Sequence, residues 1–356
     1  MRQTPRIEWD HGTLSLIQSN GHYARIIRLN NGQWICGFDF RGKAWVRHSS
    51  DNGKTWREPV QVAEAPLCWL TNTELLQSRN GNLLCFYNER PQQRRPAENT
   101  PAELARPFAI CLARSDDLGQ TWHAPETLYT AGKEFTNGCW EPAAIQLPSG
   151  EVQVFFANEG PYRNSDEQEI TLLRSRDNAR TWNAPEKISF RPGHRDGMPV
   201  PLMLNNRSGI AFAIEDSGLS GNFKPVIVFS SLKDNWRSGV RTPESTNRWS
   251  ALRVLPESHI AASGPYLRQM PSGETLLSFQ RSDTGEIQDA YMVVCIGDAQ
   301  ARNFDSPSRP FAGSDGRPQV WNSLFVKDND TVVAVSQASI NGIRGIWSIE
   351  GRFVRR

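Results

Sequence analysis

The chain has 356 residues, and its 40 Lys and Arg nearly balance its 38 Asp and Glu, which gives a formal net charge of +2. This balance gives no electrostatic reason to expect nucleic acid or an anionic membrane surface as a partner. The apolar runs have the length of strands, which argues against a transmembrane helix. Residues 1–10 carry charges and a proline where a signal peptide needs an apolar stretch. As it stands, the sequence therefore predicts a cytoplasmic protein, or a secreted or periplasmic one if a signal has been trimmed.

The composition favours an all-β protein. The chain contains 12 Trp, 16 Phe, 27 Gly and 23 Pro, and aromatic residues with frequent turns are typical of short strands. The cysteines form no C-x-x-C pair and the histidines show no metal-ligand spacing, so we expect neither a metal nor another cofactor. We expect the cysteines to be small buried residues; they are Cys36, Cys68, Cys85, Cys111, Cys139 and Cys295.

Six copies of a strand–turn–strand pattern run along the chain. Polar turn residues such as Asn31 and Gly32 join two apolar segments, and they suit a tight hairpin because they accept a positive φ at low cost. The copies are Ile26–Phe38, Leu75–Tyr87, Ala144–Ala157, Leu202–Ile214, Leu267–Phe279 and Leu324–Val335. Their spacing of roughly 50 to 70 residues leaves room for four short strands per copy. We therefore predict an all-β, six-bladed β-propeller with four-stranded blades, in a single domain over residues 1–356.

A second repeat lies between the hairpins and reads S-x-D-x-G-x-T-W. Its copies are residues 49–56, 115–122 and 175–182, the last with Ala179 in the glycine position, and a degenerate copy spans residues 230–236. The Asp and Ser or Thr side chains of such an element can bond backbone amides in a tight turn, and the Trp can pack beneath it. We predict that these aspartates hold hairpins together and take no part in catalysis.

This second element is the Asp-box, and its recurrence on a six-unit repeat resembles the sialidase superfamily of BNR-repeat proteins over nearly the whole chain. The strings Gly138–Pro142, Arg195–Pro199 and Ile214–Asp216 resemble the family 93 glycoside hydrolases, the exo-α-1,5-L-arabinanases. In that family a Glu of the W-E-P string and a Glu of the next blade form the catalytic pair. The resemblance implies Glu141 as general acid/base and Glu215, 74 residues later, as nucleophile of a retaining enzyme, with the order of the two roles open.

Topology limits where a substrate can bind. In a propeller, the starts of the first strands and the ends of the second strands meet on one face, where aromatic platforms and polar groups can bind a sugar. We predict substrate contacts by Arg25, Asp39, Arg41, Trp140, His194, Arg195, Tyr266, Arg281, Trp321 and Asn322. Each has a structural alternative, since charged residues can form ion pairs and aromatic residues can pack in the core. The polar segment Pro91–Pro107 is predicted to be an exposed loop beside this face.

Two other functions stay open. A sialidase would use Arg25 as one of three carboxylate-binding arginines and Asp39 as an acid. A sialidase also needs a nucleophilic tyrosine, which is expected in the last blade, but the sequence has no tyrosine after Tyr291. A non-catalytic carbohydrate-binding propeller would need no carboxylate pair. All three interpretations have a carbohydrate as partner, and we expect a monomer.

Overall fold

The computed structural model describes residues 5–92, 106–313 and 316–355. These residues form six antiparallel sheets of four strands each, as the hairpin spacing predicts, and one short 3₁₀ helix, Ile287–Asp289. The chain divides into two compact units, unit I (His22–Pro199) and unit II (Met1–Gly21 with Val200–Arg356). The single-domain organisation stays a prediction.

Unit I contains three complete sheets in chain order. The first is β2 (His22–Arg28), β3 (Trp34–Phe40), β4 (Lys43–Ser49) and β5 (Val60–Ala63); the second is β6 (Cys68–Gln77), β7 (Leu83–Pro91), β8 (Ala109–Ser115) and β9 (Glu126–Thr130); the third is β10 (Cys139–Gln146), β11 (Val152–Asn158), β12 (Glu169–Ser175) and β13 (Glu186–Ser189). In each sheet the strands pair in sequence order, so the first strand forms one edge and the fourth strand the other. The second strands are buried along almost their whole length.

The other three sheets run from β14 to the end of the chain. They are β14 (Asp196–Met203), β15 (Gly209–Asp216), β16 (Lys224–Ser231) and β17 (Arg248–Ser250); β18 (Ala261–Gln269), β19 (Thr275–Ser282), β20 (Tyr291–Gly297) and β21 (Asp305–Ser308); and β22 (Gly316–Val326), β23 (Thr331–Ile340) and β24 (Ile343–Val354) with β1 (Arg6–Ser19). The N-terminal strand β1 thus supplies the fourth strand of the last sheet, with Arg6 opposite Val354 and Ser19 opposite Gly345. This pairing ties the two ends of the chain into one sheet.

The Asp-boxes form the turns between the third and fourth strands, and the predicted structural role of their aspartates is confirmed. In the first copy, Asp51 Oδ1 accepts hydrogen bonds from the Thr55 backbone N–H at 2.9 Å and from the Ser49 hydroxyl at 2.8 Å. The Gly53 N–H donates to Ser49 Oγ at 2.9 Å. Hydrogen bonds from Thr55 and Ser49 lower the pKa of Asp51 to about 2. Each aspartate therefore closes its own turn as a carboxylate.

The cysteines also behave as predicted: all six are buried and free. Burial raises the pKa of the Cys36 thiol to about 12, so this side chain is a neutral packing residue at physiological pH.

A kink recurs near the start of each first strand. One residue there has a positive φ, at Tyr23, Asn72, Glu141, Met198, Gly264 and Trp321. In five of the strands the pairing register with the second strand shifts at this residue, which is typical of a β-bulge. The predicted hairpins begin after these residues, but in the structure these residues lie inside the first strands. A bulge redirects a side chain, so the kink decides which way Tyr23 and Glu141 point.

Candidate functional site

Charged and aromatic side chains of unit I gather along one edge of its sheets, where β2, β6 and β10 begin and β3, β7 and β11 end. We call it the mouth edge. Its central group, the mouth cluster, consists of Tyr23, Arg25, Asp39, Glu74, Arg90 and Glu141. The bulges of the first strands bring Tyr23 and Glu141 into this cluster, and the strand ends bring Asp39 and Arg90. Electrostatic interactions connect all six residues.

Arg25 is almost completely buried, with 2% of its surface exposed. Its guanidinium carbon lies 3.9 Å from the centroid of the Tyr23 ring, and its Nε lies 3.7 Å from Glu74 Oε2. Burial raises the pKa of Tyr23 well above its usual range; Arg25 opposes this shift, and the charges of Glu141 and Glu74 add to it. The Tyr23 phenol is therefore a neutral hydrogen-bond donor. Arg25 was predicted to bind substrate; in the structure its guanidinium stacks on the Tyr23 ring and pairs with Glu74.

Arg90 connects the second sheet with the third. Its guanidinium donates to Asn72 Oδ1 and lies over the Trp140 ring, with the central carbon 4.8 Å from the ring centroid. Burial lowers the pKa of Arg90, and the negative charges of Glu141 and Asp39 oppose the shift. Arg90 therefore interacts with two of the three carboxyl groups of the mouth cluster, Glu141 and Asp39.

Asp39 is 8% exposed, and its Oδ1 is buried without a hydrogen-bond partner among the described residues. Burial raises the pKa of Asp39 to about 7; Arg90 and the backbone N–H of Asn72 oppose the shift. A carboxyl with this pKa can donate or accept a proton near neutral pH. The sequence also allows a structural ion pair between Asp39 and Arg41, but within the described residues these two side chains form none.

Glu141 and Trp140 sit side by side in β10, with φ of 49° at Glu141. The Trp140 ring packs against Phe108 and Phe135, at centroid distances of 4.7 and 5.6 Å, and carries Arg90. These contacts give Trp140 a packing role beside the predicted role as a sugar platform. Glu141 is only partly buried, so its carboxylate combines solvent access with the proximity of Arg90 and Tyr23.

His194 and Arg195 precede β14. The Arg195 guanidinium donates to Glu159, whose side chain is 1% exposed, and to the Asp166 carbonyl at 3.2 Å. His194 is held through its backbone, since its carbonyl accepts from the Gln168 N–H at 3.2 Å and its N–H donates to the Arg191 carbonyl at 3.1 Å. Arg195 therefore compensates a buried carboxylate, which is the structural alternative to substrate binding.

Five predicted residues lie in unit II. Glu215 is partly buried in β15, and its Oε2 accepts a hydrogen bond from the Gly264 N–H at 2.7 Å. Tyr266 is 1% exposed and packs in the hydrophobic core with Arg268 over its ring. Asn322 is 1% exposed and accepts from the Ser278 hydroxyl at 2.6 Å, while the Trp321 N–H donates to Gln280 Oε1 at 3.1 Å. Tyr266 and Asn322 therefore stabilise the packing of the sheets of unit II.

Arg281 lies at a second place in unit II. It lines a cavity of about 610 Å³ together with Phe279 and Tyr291, and its Nε donates to Asp283 at 2.7 Å. The predicted loop Pro91–Pro107 lies mostly outside the described residues, since residues 93–105 are not described.

Three members of the mouth cluster were not among the predicted site residues: Tyr23, Glu74 and Arg90. A sequence signal exists for two of them, because Tyr23 lies at the start of a first strand and Arg90 near the end of a second strand, whereas Glu74 lies further along β6. Among residues 5–92, 106–313 and 316–355, no group of three or more His, Cys, Asp or Glu is placed to hold a metal ion. The same residues contain no helix with the length and apolar character that a membrane crossing requires.

Comparison with known proteins identifies the fold. Residues 26–191 match the model of the BNR repeat-like domain. Among curated proteins, no sequence matches the chain.

Three solved structures are similar in fold to this protein. The α-L-arabinofuranosidase of Fusarium graminearum, in complex with an iminosugar inhibitor, has a TM-score of 0.67 and 16% identity over 99% of this chain and 98% of its own. The α-L-arabinanase of Penicillium chrysogenum, in complex with arabinobiose, has a TM-score of 0.65 and 17% identity over the same shares. The Trypanosoma rangeli sialidase has a TM-score of 0.60 and 15% identity over 95% of this chain and 54% of its own.

The likeness to the arabinofuranosidase and to the arabinanase extends over practically the whole of each chain, and the sheets of this protein have the strand order that a propeller blade requires. At these identities the likeness concerns the fold. The protein therefore has the fold of a six-bladed β-propeller, and its residues 26–191 match the BNR repeat-like domain.

Proposed function

We propose that the protein is an exo-acting glycoside hydrolase that cleaves α-L-arabinan-type oligosaccharides or polysaccharides, with Glu141 as one of its two catalytic carboxylates. The observation that carries the proposal is the setting of Glu141. It occupies the positive-φ position of a β-bulge, is partly open to solvent, and lies beside Arg90 and Tyr23. The kink recurs in every first strand, and in β10 the residue that it redirects is a carboxylate.

The mouth cluster suits glycoside chemistry. Hydrolysis needs one carboxyl group that protonates the leaving oxygen and one that attacks the anomeric carbon or activates water. Glu141 is proposed as the general acid/base and Glu215 as the nucleophile of a retaining reaction. Arg90 and the neutral Tyr23 phenol can donate hydrogen bonds to the sugar and to the charge that develops on a carboxylate. The pKa of Asp39, about 7, would let this carboxyl donate a hydrogen bond to a hydroxyl at neutral pH.

Product analysis on linear α-1,5-arabinan tests the proposal. An exo-acting enzyme releases one small product from the start of the reaction, whereas an endo-acting one generates a ladder of intermediate lengths. Proton NMR of the first product reveals its anomeric configuration, and retention is expected. If neither arabinose nor arabino-oligosaccharides are released, arabinan is not a substrate of this protein.

Sialidase activity is the second candidate, and Asp39 is the observation in its favour. A buried carboxyl with a pKa near 7 at the end of the first sheet's second strand fits the acid that a sialidase requires at about this place. A fluorogenic sialoside, assayed beside the arabinan, separates the two candidates. Turnover of the sialoside that is abolished by Asp39→Asn would favour the sialidase, and turnover of arabinan alone would exclude it.

A further inference from the structure

A second concave site lies on the mouth edge, between the first two sheets of unit I. It is a cavity of about 340 Å³, and its lining includes Arg41, Lys43, Glu64, Trp69 and Gln92. None of these residues belongs to the mouth cluster. We call it the Trp69 cavity.

Trp69 is exceptional among the aromatic residues of the described chain. It is 41% exposed, whereas large aromatic side chains usually bury their rings. Its position is nevertheless fixed by the backbone beneath it. The Leu70 N–H donates to the Gly42 carbonyl at 2.9 Å, and a Cβ at Gly42 would lie 2.9 Å from Trp69 Cδ1. Since Gly42 also has a φ of 72°, glycine is the residue that lets the Cδ1 edge of the indole pack closely against this turn.

Hydrogen-bonding groups surround this ring. Arg41 is exposed, and its guanidinium carbon lies 4.9 Å from the Phe40 ring centroid; within the described part of the chain it has no carboxylate partner. Lys43 is already engaged by Glu64 and by Gln61 at 3.1 Å. Arg41 is therefore the cation of the cavity that is available to oxygen atoms of a ligand.

The Trp69 cavity is linked to the mouth cluster by strand pairing. Trp69 in β6 is directly opposite Arg90 in β7, and Arg90 faces Glu141 and Asp39. A glycan chain with one sugar at the mouth cluster has neighbouring sugars within a few ångströms of it. Trp69 thus stands beside the route that such a chain would take.

We propose that the Trp69 cavity is an additional sugar-binding subsite, in which a ring of the glycan substrate stacks on Trp69 and presents its oxygen atoms to Arg41. The inference rests on the proposed glycoside hydrolase function. An exposed indole that packs against the Gly42 turn gives an apolar platform for the C–H face of a sugar, and the guanidinium supplies paired N–H donors for hydroxyl or carboxylate oxygens. The subsite would recognise a sugar unit beyond the one that is cleaved, and would favour longer chains.

The test compares chain lengths by calorimetric binding, with Glu141→Gln present in every protein that is titrated so that arabinohexaose is not hydrolysed during the measurement. The probes are arabinobiose, arabinohexaose and hexagalacturonate, the last to reveal a preference of Arg41 for carboxylates. The variants are Trp69→Ala, Trp69→Phe and Arg41→Gln, with Leu67→Ala as control, since Leu67 is 40% exposed in the same connection but does not line the cavity. We expect Trp69→Ala to weaken binding of a hexasaccharide about 3- to 10-fold. Binding of arabinobiose should stay unchanged, and Trp69→Phe should restore part of the loss.

Three results would overturn the inference: equal losses for short and long probes, no loss in Trp69→Ala, or no binding of either hexasaccharide to the protein with an unaltered Trp69 cavity. Failure of the proposed function has a different signature, since it means no turnover of any glycoside while hexasaccharide binding and its dependence on Trp69 persist. A larger loss for hexagalacturonate than for arabinohexaose in Arg41→Gln would assign a carboxylate-bearing sugar to the cavity.

Discussion

The guanidinium of Arg90 lies over the indole ring of Trp140, with its central carbon 4.8 Å from the ring centroid. This contact joins the second sheet of unit I to the third. It places Arg90 beside Glu141, the residue that follows Trp140. Because the ring also packs against Phe108, the stack has little freedom to move. The position of the cation beside the proposed catalytic carboxylate is therefore set by packing.

The first prediction concerns this stack. Arg90→Lys keeps the charge but loses the planar group that stacks on Trp140 and donates to Asn72, so we expect kcat/KM to fall by about 10-fold or more. The matched control is Arg302→Lys, which changes another Arg–Trp stack, with Arg302 3.7 Å from the Trp249 centroid. Steady-state kinetics of both variants check the prediction. Equal effects of the two substitutions would mean that Arg90 contributes stability alone.

The second prediction concerns Asp39 and pH. Its pKa is about 7 in the folded protein and near 3.8 in the unfolded chain, so between these values the folded state alone holds the proton. The stabilisation that Asp39 contributes is fully present below about pH 4 and is lost as the pH rises through about 7. Asp39→Asn cannot ionise, so its stability relative to the wild type should rise over this range, by an amount on the order of 2–4 kcal/mol.

Denaturant unfolding at several pH values measures this difference. Asp51→Asn serves as the opposite case, because hydrogen bonds from Thr55 and Ser49 lower the pKa of Asp51 to about 2. Its contribution is present above about pH 4 and is lost as pH falls towards 2. A difference between Asp39→Asn and wild type that does not vary from pH 4 to 8 would contradict the assigned pKa.

The third prediction separates stability from catalysis at an Asp-box. Asp117 accepts hydrogen bonds from the backbone N–H groups of Gln120 and Thr121, at 3.0 and 2.9 Å, and Asp117→Ala leaves both donors without this partner. We expect a loss of about 1 kcal/mol, as for a helix N-cap, with kcat unchanged. The neighbouring Asp116, which pairs with the exposed His123, is the control, and Asp116→Ala should have little effect. A large fall in kcat in folded Asp117→Ala would reject the structural role of the Asp-boxes.

The hairpins of this fold could be predicted because their signal is local. A turn such as Asn31-Gly32 between two apolar segments specifies both strands and their register. The bulges could not be predicted in this way, since five of the six positive-φ positions carry residues other than glycine, among them Tyr23 and Glu141. The pairing of β1 with β24 also escaped prediction, because no local pattern identifies a partner more than 300 residues away.

The candidate site was predicted in part for a related reason. Strand order alone brings Arg25, Asp39 and Glu141 to one edge of unit I, and the structure has them there. Whether an aromatic residue at that edge is exposed depends on its neighbours from other strands. Tyr266, which was predicted to bind substrate, is buried in the core. Trp69, which was not among the predicted residues, is exposed.

The proposed reaction depends most directly on Glu141. Glu141→Gln keeps the size of the side chain but removes its ionisable group, and general acid/base catalysis is worth about 10²–10⁴-fold in rate. The most direct measurement is the turnover of linear arabinan by wild type, Glu141→Gln, Glu215→Gln and the exposed control Glu134→Gln, each with its thermal unfolding recorded. We predict that the first two variants lose at least about 10²-fold in kcat while remaining folded, and that Glu134→Gln retains wild-type activity. Wild-type turnover by a folded Glu141→Gln variant would contradict the account.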